Sequence, residues 1–173
     1  MEQLKMTRLS APVREQPFPE GFSVEYYSGL ADQIDDWLAI CREGLIEPDA
    51  GEEVFRAAIL NYPDLDPEKD LIFVKNASGK RVATVAFPLH PGRVGYIHMV
   101  CCLRECRGLG IGDAMNSFAL ARLEERGVDY TYLTTDDFRL GAIKTYMRAG
   151  FVPCEEGTGM AERWKKVREA LGE

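Results

Sequence analysis

The chain has 173 residues, 46% hydrophobic and 28% charged, which is long enough for one globular domain over 1–173 with its own core. Its formal net charge is -7, and the sequence has no run of basic residues. Both features argue against generic binding to nucleic acid or an anionic membrane. Its five cysteines are an odd number, which argues against a disulfide framework.

The N-terminal part of the chain predicts one strand and two helices behind a less regular segment. Residues 1–21 contain three prolines and little periodicity, so we expect a tail or an edge segment there. Alternation predicts a strand over 22–27. Apolar residues at steps of three and four predict a helix over 31–45, and a second apolar stripe predicts a helix over 52–61 that ends before Pro63.

The middle of the chain predicts an antiparallel meander. Apolar and β-branched residues indicate strands over 71–74, 81–89 and 94–103. A turn over 76–80 joins the first two strands, and the Pro-Gly pair at 91–92 precedes the third. Consecutive strands with such short connections pair antiparallel.

The C-terminal part predicts a parallel strand pair. A helix over 110–125, stopped by Gly127, lies between the strand at 94–103 and another strand at 128–135. This order implies parallel pairing through a right-handed crossover. The remaining predicted elements are a helix over 139–149, a strand over 151–154 and a C-terminal helix within 160–173. The predicted fold class is therefore α/β, with a mixed α+β sheet and helices on both faces.

Three glycines at alternate positions, Gly108, Gly110 and Gly112, lie between a predicted strand and a predicted helix. The missing Cβ atoms let a ligand approach the backbone, and the unpaired N–H groups of a helix N-terminus suit a phosphate or pyrophosphate. A P-loop would need Lys and Ser/Thr after the last glycine, and a dinucleotide fingerprint would need wider glycine spacing. The loop therefore predicts another kind of phosphate site, or else a structural turn without a ligand.

Two segments carry a family resemblance. Residues 107–112, Arg-Gly-Leu-Gly-Ile-Gly, and residues 142–151, Ala-Ile-Lys-Thr-Tyr-Met-Arg-Ala-Gly-Phe, resemble in order the pyrophosphate loop and the A-I-x-x-Y-x-x-x-G-F motif of the GNAT superfamily of acetyl-CoA-dependent N-acetyltransferases. Residues 134–153 most resemble small bacterial acetyltransferases of unassigned substrate and, to a lesser degree, are similar to the catalytic half of mycothiol synthase. The resemblance implies a GNAT-like fold, with an antiparallel N-terminal meander and a parallel strand pair that flanks the glycine-loop helix.

The resemblance also implies where acetyl-CoA binds. The pantetheine arm would pair with strand backbone where the two parallel strands separate, and the pyrophosphate would meet the glycine loop. Arg139 stands where many members have an asparagine that contacts the coenzyme arm. The implied coenzyme-contacting residues are Val100, Cys101, Cys102, Arg107, Gly108, Leu109, Gly110, Ile111, Gly112 and Arg139.

Tyr146 is the catalytic residue that the resemblance implies, because the matching tyrosine lies near the coenzyme sulfur. A phenol is protonated at neutral pH and can donate a proton to the departing thiolate. The alternative is a half-buried tyrosine that only packs its helix against the sheet.

Alternation along the strand at 94–103 places these residues on one face: Tyr96, His98, Val100 and Cys102.

A general base is also needed, because an amine acceptor arrives largely as an ammonium. The sequence offers Asp136, Asp137, His98, and Glu52 or its neighbour Glu53, and water is a further alternative. An imidazole has a suitable ordinary pKa, whereas the two aspartates could instead cap a helix. The residues do not decide among these candidates.

We therefore expect an N-acetyltransferase that moves acetyl from acetyl-CoA to a primary amine of a small molecule or peptide by direct attack. The alternative is a non-catalytic acyl-CoA-binding regulatory module. A covalent route through Cys102 lacks a visible histidine partner, and the cysteine spacing at 101–106 does not suit a metal. We expect no nucleic-acid or membrane partner, and a homodimer is compatible with the sequence. Residues 1–10 lack a signal-peptide core, and no apolar run approaches 18 residues, so we expect a cytoplasmic protein.

Overall fold

An eight-stranded mixed sheet forms the centre of the computed structural model, which describes residues 2–172. Its strands in chain order are β1 (Leu4–Leu9), β2 (Ser23–Tyr26), β3 (Leu71–Lys75), β4 (Arg81–Ala86), β5 (Leu89–His90), β6 (Val94–Cys102), β7 (Tyr130–Thr135) and β8 (Val152–Cys154). They lie in the order β2-β3-β4-β6-β7-β1-β8, and the short β5 pairs with β6 beside this path.

Six α-helices pack around the sheet. They are α1 (Ala31–Cys41), α2 (Glu52–Phe55), α3 (Pro67–Asp70), α4 (Ile111–Glu125), α5 (Leu140–Arg148) and α6 (Met160–Leu171). A π-helical turn, Arg56–Leu60, extends α2. Fully buried aromatic side chains, Trp37, Phe55 and Phe73 among them, fill the core against the sheet. Within residues 2–172, no helix is long and apolar enough to cross a membrane.

The predicted fold class is confirmed. Strands β3, β4 and β6 form the expected antiparallel meander, and β6 pairs parallel with β7 across the intervening α4. The C-terminal helix also forms, as α6. The helix predicted over 31–45 ends at Cys41, and the strand predicted over 81–89 divides into β4 and β5.

The interpretation of residues 1–21 as a tail or edge segment is wrong for β1. This strand lies inside the sheet and pairs antiparallel with both β7 and β8. Leu4 and Met6 are fully buried, and the next inward position holds Arg8, whose Nη1 lies 2.7 Å from Oε1 of Glu124. Because a charged residue occupies an inward position, the sequence lacks the alternation of apolar and polar residues that marks a half-buried strand. The prolines after Leu9 also favoured the interpretation as a tail.

A β-bulge in β6 positions the site. His98 pairs with Ala86 and Cys101 pairs with Thr84, so three steps along β6 oppose two steps along β4. Met99, within the bulge, has a φ of 50°. The extra residue brings His98 and Cys101 to one face, so the prediction that His98 shares its face with Val100 and Cys102 is wrong.

Candidate active site

The two parallel strands separate at the centre of the sheet. Pairing between β6 and β7 runs from Val94 opposite Tyr130 to Ile97 opposite Leu133, and within the described chain it goes no further. Both strands nevertheless continue, to Cys102 and Thr135. Their facing edges therefore hold backbone groups that an extended, amide-bearing ligand can pair with, as the family resemblance implies.

The glycine loop presents a row of free backbone donors. Across residues 2–172, the N–H groups of 108–113 find no protein acceptor, and the first bonded N–H of α4 is that of Ala114, 3.1 Å from the carbonyl oxygen of Gly110. Gly108 and Gly110 have φ values of 77° and 84°, a region that favours glycine. A Cβ atom at either position would meet nothing within 4 Å. This exposed row at a helix N-terminus fits a pyrophosphate.

The two arginines implied in coenzyme binding lie at the mouth of this opening. Arg107 donates from Nε to the carbonyl of Cys102 (3.2 Å) and from Nη2 to that of Glu43 (2.9 Å). Arg139 donates from Nη2 to the carbonyl of Gly44 (2.7 Å) and from Nε to Asp136 (2.8 Å). In both side chains Nη1 makes no hydrogen bond to the described residues, so each guanidinium retains a donor for an anion.

Tyr146 is buried on the inner face of α5, with 7% of its surface exposed. Its ring packs edge-on against Phe151 at 6.3 Å, and its hydroxyl makes no hydrogen bond to any residue between 2 and 172. Burial raises the pKa of this phenol, and the charge of the nearby Arg139 offsets that rise only in part. Tyr146 is therefore a protonated donor that lacks a protein acceptor.

Sequence reasoning missed an aromatic cluster on the same face as His98. We use this name for the rings of Tyr62, His90, Tyr96, His98 and Tyr132. The centroid of Tyr96 lies 4.5 Å from that of Tyr132 and 5.0 Å from that of His98, and Tyr62 stacks on His98 at 4.3 Å. The rings cover one another's faces, so a ligand there would meet edges and polar atoms. The only local signal was the tyrosine–histidine alternation in β6.

His98 is held as a neutral imidazole. Its Nε2 lies 2.9 Å from the carbonyl oxygen of Ala58, which can only accept, so Nε2 donates. That carbonyl is free because Ala58 lies in the π-helical turn and its i+5 partner, Pro63, has no N–H. Burial lowers the pKa of His98 to about 4, which makes it a weak base toward an ammonium.

The carboxylates considered as bases are engaged elsewhere. Asp137 pairs with Arg163, whose hydrogen bonds lower the pKa of Asp137. Burial raises the pKa of Asp136, but hydrogen bonds from Arg139 and from Gln3 outweigh it and lower that pKa overall. Two exposed pairs complete the set: Glu52 with Arg56, and Glu53 with the N–H of Gly51. For Asp136, Asp137 and Glu53 these partners lower the pKa and so weaken the carboxylates as bases.

The thiol of Cys102, considered above for a covalent route, is not activated as a nucleophile. Burial raises the pKa of Cys102 to about 12, so its sulfur is a thiol at neutral pH and a poor nucleophile. All five cysteines are free. Within the described part of the chain, no three histidine, cysteine or carboxylate side chains are arranged to hold a metal ion.

Comparison with known proteins identifies similar chains. Residues 31–151 match the model of the acetyltransferase (GNAT) family. The mycothiol acetyltransferase of Salinispora tropica is 29% identical over 83% of this chain and 48% of its own length. That of Cellulomonas flavigena is 32% identical over 85% and 47%. The chain thus spans about half the length of these curated relatives.

Solved structures share the fold. The GCN5-related N-acetyltransferase from Sphaerobacter thermophilus superposes with a TM-score of 0.71 at 24% identity, covering 89% of this chain and 50% of that one. A fungal structure described as a GCN5-related glucosamine N-acetyltransferase region has a TM-score of 0.64 at 15% identity and covers 88% of this chain. At these identities the likeness concerns the fold.

Proposed function

Because the chain belongs to the GNAT acetyltransferase family, we propose that it transfers the acetyl group of acetyl-CoA to a primary amine of a small molecule or peptide by direct attack. The observation that carries the proposal is the row of unpartnered N–H groups at 108–113, next to the separated edges of β6 and β7. Phosphate donors and an open strand edge are the two features that a pyrophosphate followed by an amide-bearing arm requires.

The chain's own residues then have distinct roles. When bound, acetyl-CoA supplies an activated acyl group as a thioester. The N–H groups of 108–112, with Leu109 and Ile111 among them, hold the pyrophosphate, and the free Nη1 groups of Arg107 and Arg139 add positive charge. Backbone groups of Val100, Cys101 and Cys102 orient the arm and polarise the thioester carbonyl. Tyr146 donates its phenolic proton to the leaving sulfur.

The acceptor we propose is a small amine. The names of the curated relatives, mycothiol acetyltransferases, favour a small-molecule acceptor, although the chain spans only half of their length. A net charge of -7 favours a cationic acceptor and supports the absence of nucleic-acid and membrane partners. Five free thiols support a reducing, cytoplasmic location.

The second candidate function is an acyl-CoA-binding module without catalysis. This candidate is favoured because the carboxylates considered as bases are held in ion pairs or by a hydrogen bond at the start of a helix. Such a module keeps the coenzyme loop and releases no coenzyme A in the presence of amines.

Thermal shift measurements with acetyl-CoA, coenzyme A, ATP and NAD test coenzyme binding first. Saturation at 100 times Kd adds about 2.7 kcal/mol, which raises Tm by about 5–10 °C in a chain of this size. Shifts with acetyl-CoA and coenzyme A alone support both candidates, and no shift with either contradicts both.

Thiol release then separates the two candidates. We would assay acetyl-CoA with glucosamine, ethanolamine, L-lysine and spermidine. Amine-dependent release that Tyr146→Phe reduces supports the transferase. Binding without release from any amine, unchanged in Tyr146→Phe, supports the module.

A further inference from the structure

The other histidine of the chain, His90, forms a pair with Asp64 that the sequence did not suggest. His90 is the last residue of β5, and its Nδ1 lies 2.9 Å from Oδ2 of Asp64. A carboxylate accepts, so Nδ1 donates this hydrogen bond, and in a neutral ring Nε2 is then the acceptor. Within the described residues Nε2 has no hydrogen-bond partner, and the side chain is 18% exposed. The pair therefore presents an oriented, accessible base.

The loop after the π-helical turn builds this pair. Asp64 has a φ of 61°, a left-handed conformation that Asp and Asn adopt more readily than most residues. The same loop carries Tyr62, whose ring stacks on His98 at 4.3 Å. One short loop thus places a tyrosine on one histidine and a carboxylate on the other.

His90 belongs to the aromatic cluster, which lies next to the point where β6 and β7 separate. Its ring centroid is 6.1 Å from that of Tyr96, and Tyr96 directly precedes Ile97, the last residue of β6 that pairs with β7. The Tyr96 hydroxyl lies 3.2 Å from that of Thr134, one residue beyond the last pair in β7. An ammonium that approaches the opening along the edge of the cluster therefore passes His90 before it reaches the thioester.

The titratable groups that face His90 come from the loop and from two strands. From its neighbouring elements these are Asp64 and Tyr62 in the loop, Tyr96 and His98 in β6, and Tyr132 in β7. Asp64 is the one carboxylate among these. Lys5 lies beyond the cluster, 5.0 Å from the Tyr132 ring.

We propose that His90, oriented by Asp64, is the general base that takes the proton from the acceptor ammonium; this inference rests on the proposed function. Nε2 of His90 accepts one proton and leaves the amine with a free electron pair. The N–C bond forms and the C–S bond breaks, its electron pair goes to sulfur, and sulfur takes the proton of Tyr146. The second proton lost by nitrogen returns to Tyr146, and His90 releases its own to water.

The test compares kcat/KM for the best amine of the panel across pH, in the wild type and three variants. His90→Gln should lower kcat/KM about 100-fold near neutral pH. The loss should shrink as pH rises, because the acceptor then arrives as the free amine. Asp64→Asn, which keeps the left-handed backbone favourable, should give a smaller loss with the same trend. His98→Gln is the matched change in the neighbouring ring, and its effect should not depend on pH in this way.

Two further measurements distinguish a base from a structural residue. Acetyl-CoA affinity should be the same in His90→Gln as in the wild type, and imidazole added to His90→Gly should restore part of the turnover. Turnover with a pH-independent loss in His90→Gln, or with no loss, would overturn this assignment and leave the proposed function standing. No turnover of the wild type with any amine would overturn both.

Discussion

At the scale of single residues, removing the Tyr146 hydroxyl distinguishes a catalytic role of this side chain from a packing role. The hydroxyl makes no hydrogen bond to residues 2–172, so Tyr146→Phe should change the free energy of unfolding by less than about 1 kcal/mol. If it donates to the leaving sulfur, kcat should fall about 100-fold while acetyl-CoA affinity stays constant. Thiol release and thermal unfolding measure the two quantities. An unchanged kcat in an amine-dependent reaction would assign Tyr146 to packing alone.

A substitution at Gly110 can show whether ligand access to the backbone matters for binding, separately from the strain that a side chain causes there. The φ of Gly110 is 84° with nothing within 4 Å of an added Cβ, and Gly92, far from the loop in sequence, has a φ of 79° and equally open surroundings. Alanine at either position should cost about 1–2 kcal/mol of stability. Only Gly110→Ala should also weaken coenzyme A binding, by calorimetry, because its Cβ stands over the donor row. Equal affinities in the two variants would argue against a phosphate at this loop.

At the scale of elements, β1 makes the sheet depend on the N-terminal segment. Met6→Ala should destabilise the fold by about 2–5 kcal/mol, since the side chain is fully buried between two strand neighbours. Leu9→Ala at the end of the same strand is the control, because Leu9 is 80% exposed and its loss should be small. Urea unfolding measures both. Similar values for the two variants would be inconsistent with an interior strand.

Elements with a local pattern were predictable, and those that depend on distant partners were not. The glycine loop, α4 and α5 carry their turn and helix signals within a few residues, and they formed where expected. The alternation of β1 is interrupted by an arginine whose partner, Glu124, lies in α4. The bulge at Met99 depends on the register against β4, and no residue within β6 specifies it.

At the scale of the whole molecule, the acceptor side of the site joins parts of the chain that are distant in sequence. Tyr62, His90 and Tyr132 meet only because the sheet order places β5 and β7 on either side of β6, below the loop that follows the π-helical turn. The coenzyme side, in contrast, is largely one continuous segment, 100–112. A single sequence therefore predicts the coenzyme loop far better than the acceptor wall, since motif spacing reports only neighbours along the chain.

The burial of His98 makes the stability of the whole fold depend on pH between about 4 and 6.5. Its pKa is lowered to about 4 from 6.5, so between these values the unfolded chain binds a proton that the folded chain does not. Stability should therefore fall as pH decreases through this window, by up to about 3 kcal/mol from this one group. The carboxylates with lowered pKa values, such as Glu25 beside Arg81, lose their contribution at lower pH. Asp70, whose pKa burial raises, acts in the opposite direction there.

Urea unfolding at several pH values between 7.5 and 4.5 measures this dependence. The wild type should lose stability steadily across the window, and His98→Gln, whose amide can still donate to Ala58 but does not titrate, should show a much flatter profile. The same slope in both proteins would mean that the imidazole protonates freely in the folded state. That result would remove the reason for treating His98 as neutral and would restore it as a candidate base beside His90.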